Sequence, residues 1–170
     1  MKRVILYIAQ SLDGFIARKN KSVDWLDAYF NKELAKNHKT FFNKIDSVIV
    51  GNTTQKQFPQ KYEGKPTFVF SRKQKGQDEN ITYVNGKVST VIKKYNPKGN
   101  VWVVGGSDII SQFLKEDLID EMRIFTMPEL LGNGIPLFKK SNMQRKFKLM
   151  TTITHGEVVE VRYKKLISKN

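Results

Sequence analysis

The residues best suited to chemistry in this 170-residue chain lie where apolar runs stop against glycine, hydroxyl and basic side chains. Val101-Trp102-Val103-Val104 leads into Gly105-Gly106-Ser107-Asp108 and then into an amphipathic stretch. A buried strand, two glycines and a helix start let the backbone approach a ligand closely. The free N–H groups of the helix N-terminus also present a positive partial charge. A phosphate or diphosphate suits that end, although the same stretch also reads as a tight turn with a packing glycine. Val48-Ile49-Val50 stops at Gly51-Asn52-Thr53-Thr54, where two hydroxyls can cap a helix or bond phosphate oxygens. Thr67-Phe68-Val69-Phe70 stops at Ser71-Arg72-Lys73. A hydroxyl and two cations there suit a terminal phosphate, such as the 2′-phosphate that separates NADP from NAD, or else form a solvated basic turn. Gly132-Asn133-Gly134 follows Pro128-Glu129-Leu130-Leu131 and reads as an irregular turn or as a wall closing over a ligand.

Other chemistry is scarce. Cysteine is absent, which removes disulfides, Cys-based zinc sites and thiol catalysis. The two histidines, His38 and His155, are too few for a typical metal cluster, and no resident metal is expected. There is no Walker A sequence, three-glycine Rossmann fingerprint, nucleophile elbow or zincin motif. If the chain is an enzyme, a cofactor carries the chemistry.

The elements that would position these junctions follow from hydrophobic patterning. Val4 to Ala9, Ser47 to Val50, Thr67 to Phe70 and Val101 to Val104 are continuous rather than alternating, as in strands covered on both faces. Helical faces fall between them: Leu34, His38, Phe41, Phe42 and Ile45; then Val88, Val91, Ile92 and Tyr95, stopped before Pro97; then Ile109, Ile110, Phe113, Leu114 and Leu118, opened by Ser107 or Asp108 as N-cap. Met122 to Met127 reads as a further strand. Phe147 to Ile153 and Val159 to Tyr163 alternate across a His155-Gly156 turn, which predicts an antiparallel hairpin. The stretch from Gln74 to Asn80 reads as a mobile loop. Strands alternating with helices predict an α/β fold with a mixed, mainly parallel sheet in a single domain over residues 1–170.

Thirty Lys and Arg against sixteen Asp and Glu give a net charge of +14, which favours anionic partners. Residues 51–100 hold ten of those cations against three acids, so the excess peaks where two of the candidate phosphate junctions lie. No apolar run approaches the ~20 residues of a membrane helix. The six-residue run after Met1-Lys2-Arg3 is shorter than a signal-peptide core, so a cytoplasmic protein is expected.

Four motifs in order carry a resemblance. They are Ser11-Leu12-Asp13-Gly14-Phe15-Ile16-Ala17; Val48-Ile49-Val50-Gly51 with Thr54; Val104-Gly105-Gly106-Ser107 followed by Leu118-Ile119-Asp120-Glu121; and Pro128-Glu129-Leu130-Leu131-Gly132-Asn133-Gly134-Ile135-Pro136-Leu137-Phe138. From Arg3 to about Lys165 the chain resembles the dihydrofolate reductase-like family. Within it, the chain is most similar to the C-terminal reductase domain of the bifunctional riboflavin-biosynthesis deaminase/reductase. The resemblance implies an αβα layered fold, NADPH as hydride donor and a homodimer. By position it implies that Gly105, Gly106, Ser107, Thr53 and Thr54 meet the cofactor diphosphate region, with Val104 and Gly51 as further cofactor-binding positions. Ser71 and Arg72 would lie near the adenosine phosphate. Asp13 and Gly14 would shape a flexible loop over the nicotinamide, and Ala9 would lie under the ring. Trp25, Phe30, Leu131, Gly132 and Gly134 would fall on the substrate side, where the two aromatics also read as plain packing.

Glu33 and Thr126 take roughly the places of the acid and threonine that help to protonate the pterin in the folate enzymes. Glu33 reads equally as a solvent-facing carboxylate favoured by a helix dipole. One departure concerns the second junction, where the family usually has Gly-Arg and this chain has Gly51-Asn52; Lys56, Arg72 or Lys73 are the cations available to compensate. The expected activity is NADPH-dependent hydride transfer to an imine or carbonyl carbon of a heterocyclic or ribosylamino-pyrimidine-like small molecule. This would be a 5-amino-6-(5-phosphoribosylamino)uracil reductase-like reaction in riboflavin biosynthesis. The alternative is a non-catalytic NADP(H)- or polyanion-binding domain on the same fold. A true dihydrofolate reductase ranks third, because the Ser-Leu-Asp-Gly opening points to the riboflavin-type branch. Neither a membrane nor a nucleic acid is an expected partner.

Overall fold

The continuous apolar runs become the buried middle of one large sheet. A computed structural model describes residues 3–59 and 62–166. In chain order the elements are β1 (Arg3–Ser11), β2 (Phe15–Ala17), a 3-10 helix (Asp24–Tyr29), α1 (Lys32–Phe42), β3 (Ser47–Gly51), α2 (Asn52–Gln57), β4 (Thr67–Phe70), β5 (Gly76–Asp78), β6 (Ile81–Val84) and α3 (Val88–Tyr95). There follow β7 (Asn100–Gly105), α4 (Ser107–Lys115), β8 (Glu121–Met127), β9 (Ile135–Pro136), β10 (Phe147–His155) and β11 (Val158–Lys165). A short 3-10 turn, Tyr62–Gly64, precedes β4. Nine strands form one sheet in the order β10-β11-β8-β1-β7-β3-β4-β6-β5. From β8 to β6 neighbouring strands run parallel. The β10–β11 hairpin and β5 add antiparallel margins. The sheet is therefore mixed and mainly parallel, with the expected C-terminal hairpin.

Alternation along β1 divides the core between two faces. Val4 and Leu6 join Ile49, Val103, Ile110 and Phe113 beneath α3 and α4. Ile5 and the partly buried Tyr7 join Phe41, Phe42, Val48 and Trp102 beneath α1. His38 completes that aromatic group, with its ring 5.7 Å from Tyr7 and 5.6 Å from Trp102, as a core-edge residue. Helices on both faces explain why these strands carry no polar alternation. No helix among the described residues is long and apolar enough to cross a membrane.

Three local expectations shift. Gly76–Asp78, inside the stretch expected as a mobile loop, is the exposed edge strand β5, paired antiparallel with β6. Gly106, rather than Ser107 or Asp108, is the N-cap of α4, and Gly51 is the N-cap of α2, neither with a side-chain cap bond. The hydroxyls of Thr53 and Thr54 therefore belong to the first turn of α2 rather than to its cap. The short strands β2 and β9, too brief to leave a pattern, pair with each other apart from the main sheet.

Candidate functional site

The connections set the location. After β1 the chain crosses past an empty position to β3, then to β4 and β6; β7 later fills the gap, and β8 joins the other side of β1. The C-terminal ends of β1, β7 and β3 thus border a point where connections leave in opposite directions, which is where open α/β sheets bind ligands. A cleft of about 2230 Å³ opens there. That exceeds the ~300–1,000 Å³ of typical small-ligand pockets and leaves room for a dinucleotide with a second ligand.

All three junctions enter it. Gly51, Thr53, Thr54, Ser71, Arg72, Val104, Gly105, Gly106 and Ser107 line the cleft, as does Ala9 at the end of β1. The β3 and β7 ends adjoin closely: a Cβ on Gly51 would lie 3.2 Å from Ile109 Cγ1, and one on Gly106 would lie 3.5 Å from Thr54 Oγ1. Gly105 has φ +125°, a conformation that L side chains rarely adopt. The Ser107 hydroxyl faces the protein and donates to the Pro136 carbonyl, so its contribution to a ligand is its backbone N–H in the first turn of α4. Ser71 Oγ accepts from the backbone N–H of Lys73 at 3.3 Å and of Gln74 at 2.9 Å, shaping the turn after β4.

Among the described residues the lining is strongly cationic: Lys21, Lys56, Arg72, Lys73, Lys115, Lys139, Lys140 and Arg145 stand against one carboxylate, Asp108. Lys139 pairs with Asp108. Lys56, Arg72 and Lys73 are thus all present in the cleft that Asn52 also lines.

The first and fourth sequence motifs form one flap over the cleft. β2 pairs with β9, Leu12 N–H donates to Glu129 O at 2.8 Å, and Leu137 N–H donates to Gly14 O at 2.8 Å. Asp13 latches the flap by accepting from Leu131 N–H at 3.1 Å and Gly132 N–H at 2.7 Å. The Ser11 hydroxyl and these two N–H groups hold the Asp13 carboxyl below its ordinary range. Gly134 is required by close approach, since a Cβ there would lie 2.4 Å from the Ala17 carbonyl oxygen. Asp13 and Gly14 therefore do not line the cleft and instead fix the flap that does, through Ile16, Ala17, Gly134 and Ile135.

The substrate-side expectation divides. Gly134 lines the cleft, whereas Leu131 and Gly132 serve the Asp13 latch from outside it. Trp25 does not line the cleft: it is 3% exposed and packs with Phe125, Met127 and Val158. Phe30 is 74% exposed and also stands outside the cleft. Leu26, one residue beyond Trp25, supplies that wall instead.

The expected pairing of Glu33 with Thr126 is not formed. Thr126 Oγ1 accepts from Gln10 Nε2 at 3.3 Å. Its neighbour Phe125 packs toward Tyr7 and His155 on the α1 face, so strand alternation turns Thr126 to the opposite face. Glu33, at the start of α1, instead meets His155 Nδ1 at 3.2 Å. His155 Nε2 lies 2.9 Å from Glu160, which also accepts from Asn37 at 2.9 Å and from Arg162 at 2.5 and 3.0 Å. Burial pushes the Glu160 carboxyl upward, but the Arg162, His155 and Asn37 contacts outweigh it and hold the group below its ordinary value. Burial, with the Glu160 charge, raises Tyr7 well above the ordinary phenol range. Sequence reading missed this cluster because its bonded partners lie up to 123 residues apart; an acid and an arginine two apart on one strand face were the only local sign.

Known proteins agree with this architecture. The family model of the RibD C-terminal domain matches residues 63–161. The uncharacterized protein YwjB of Bacillus subtilis is 36% identical over 172 residues, 95% of this chain and 97% of its own. A putative riboflavin biosynthesis protein from Shewanella sp. PV-4 superposes with a TM-score of 0.86 at 28% identity, over 97% of this chain and 99% of that one. Dihydrofolate reductase from Enterococcus faecalis, complexed with NADP(H), shares the fold alone, with a TM-score of 0.70 at 13% identity over 96% of each chain.

Proposed function

The chain belongs to the RibD C-terminal domain family, and on that footing we propose that it is a cytoplasmic, homodimeric, NADPH-dependent reductase of a phosphorylated ribosylamino-pyrimidine or a similar small heterocycle. The observation that carries the reading is the convergence of three glycine- or hydroxyl-ended strands on one cationic cleft. The residues present fit a dinucleotide phosphate. Gly51, Gly105 and Gly106 leave backbone within reach, two threonine hydroxyls flank them, and eight cations line the walls.

When bound, the reduced nicotinamide supplies a hydride. The first turn of α4, with Thr53 and Thr54, would hold the diphosphate, and Ser71 and Arg72 would hold the adenosine phosphate. Ala9, which lines the cleft, would lie under the ring, and the flap latched by Asp13 would exclude water. Reduction of a C=N or C=O bond also takes up one proton. Glu33 is assigned as its source: its side chain does not line the cleft itself, and His155 Nδ1, 3.2 Å away, orients the carboxylate at the start of α1. The next residue, Leu34, packs in the cluster that contains the cleft residues Ala9 and Leu26.

The test is a titration with NADPH followed by nicotinamide fluorescence, then NADPH oxidation with 5-amino-6-(5-phosphoribosylamino)uracil. Saturable binding and substrate-dependent oxidation are expected. Failure to bind NADPH would refute the reading. Binding without oxidation of this or any related heterocycle would leave a nucleotide-binding domain without reductase activity. Glu33→Gln is expected to lower turnover while leaving NADPH affinity unchanged.

A further inference from the structure

β3 and β4 run parallel with Gly51 opposite Phe70. The next residues along, Asn52 at the start of α2 and Ser71 after β4, therefore follow directly on the two paired strand ends. Gln74 joins them through its backbone N–H, which donates to Ser71 Oγ at 2.9 Å. All three line the cleft. Asn52 Oδ1 and Gln74 Oε1 are shielded from water, and neither has a hydrogen-bond partner among the described residues. Among the described residues no donor therefore holds either amide oxygen in place. A half turn about its last torsion exchanges a carbonyl oxygen for an NH2 group. The nearby cations, Arg72 and Lys73, are exposed.

On the reading of this cleft as a dinucleotide site, we infer that this end accepts the adenosine ribose with either a 2′-phosphate or a free 2′-hydroxyl, so that NADH is a ligand as well as NADPH. A guanidinium or ammonium fixed between the strand ends would only donate and would select the phosphate. An amide serves both groups: its NH2 donates to a phosphate oxygen, and its carbonyl accepts from a hydroxyl. Ser71 Oγ already accepts two backbone N–H groups, so its proton is free for either 2′-substituent. Preference for the phosphate then comes from Arg72 and Lys73. Their exposure makes that preference sensitive to salt, because the screening length falls from ~10 Å at 0.1 M to ~3 Å at 1 M.

The experiment is fluorescence titration of the full chain with NADPH and with NADH, paired with calorimetry of 2′,5′-ADP and 5′-AMP, at low salt and at ~1 M NaCl. NADPH is expected to bind about 10-fold tighter than NADH at low salt, and the ratio should fall to about 2–3-fold at high salt. Arg72→Ala with Lys73→Ala should bring the ratio close to one by weakening NADPH far more than NADH. Asn52→Arg should raise it above about 100-fold. A ratio above about 100-fold in the unaltered protein that persists in high salt would overturn the dual-ligand inference and leave the dinucleotide site standing. Binding of neither nucleotide would overturn both. The salt series needs no variant, so the outcome does not depend on whether substituted chains fold.

Discussion

Glu160→Gln is the sharpest test of how the α1 face is held. The Glu160 side chain is 0% exposed and takes hydrogen bonds from Arg162, His155 and Asn37. Glutamine keeps the volume but loses the charge and places an NH2 group where a second acceptor stood. Breaking a buried ion pair by removing one partner costs roughly 3–5 kcal/mol. Arg162 is 27% exposed and recovers some hydration, so the lower end, about 3 kcal/mol, is expected. For a chain of this size that corresponds to a loss of about 6–12 °C in Tm. The folded-state pKa of Glu160 is depressed, so its contribution is present above the ordinary carboxylate range and is lost as pH falls through the lowered value. Urea unfolding followed by circular dichroism, from pH 7 downward, measures both effects. The variant should lie below the unaltered protein at pH 7 and converge with it in acid. A difference under about 1 kcal/mol at pH 7, or one that persists unchanged in acid, would refute the assignment of a stabilising charge to this cluster.

Gly134→Ala drives a Cβ into the Ala17 carbonyl, which lies 2.4 Å from its ideal position. It should cost about 1–3 kcal/mol in urea unfolding and weaken NADPH binding, because the clash falls in the flap. The Asp13 latch should hold above the ordinary carboxylate range and loosen as pH falls through that group's lowered pKa. NMR protection of the Leu131 and Gly132 amides should fall in that window, and Asp13→Ala should remove the protection at every pH. Trp25→Phe should leave Tm unchanged or raise it, because the buried indole N–H has no acceptor among the described residues and phenylalanine removes that donor. Trp25→Ala should cost about 3–5 kcal/mol by opening a cavity, and both values can be read by thermal denaturation.

What the sequence disclosed, and what it hid, follows from the range of the forces involved. Val48-Ile49-Val50 and Val101-Trp102-Val103-Val104 announce covered strands because both faces of a central parallel strand need apolar side chains. Gly105 marks the cleft by its φ of +125°, which L side chains rarely adopt, and Gly51 by the Cβ-free approach to Ile109, 3.2 Å from where a Cβ would stand. Each of these signals is local. By contrast, Asp13 and the Leu131-Gly132 backbone lie 118 and 119 residues apart. Their joining depends on β1 and β8 becoming neighbours, and no residue near Asp13 records that.

The misplaced pairing of Glu33 with Thr126 has the same origin. Alternation tells which residues of β8 share a face, but not which face α1 covers; that is decided when the β1–α1–β3 crossover packs. Once α1 lies over Tyr7 and Phe125, Thr126 must turn away, toward Gln10, and Glu33 must find another partner. His155 can be that partner because the terminal hairpin adds to the β8 edge and brings its turn to the start of α1, where Asn31 Nδ2 donates to the His155 carbonyl at 3.4 Å. The hairpin, legible as two alternating strands, thus supplies the wall behind the proposed proton source. Its chemistry becomes visible only when β11 docks on β8.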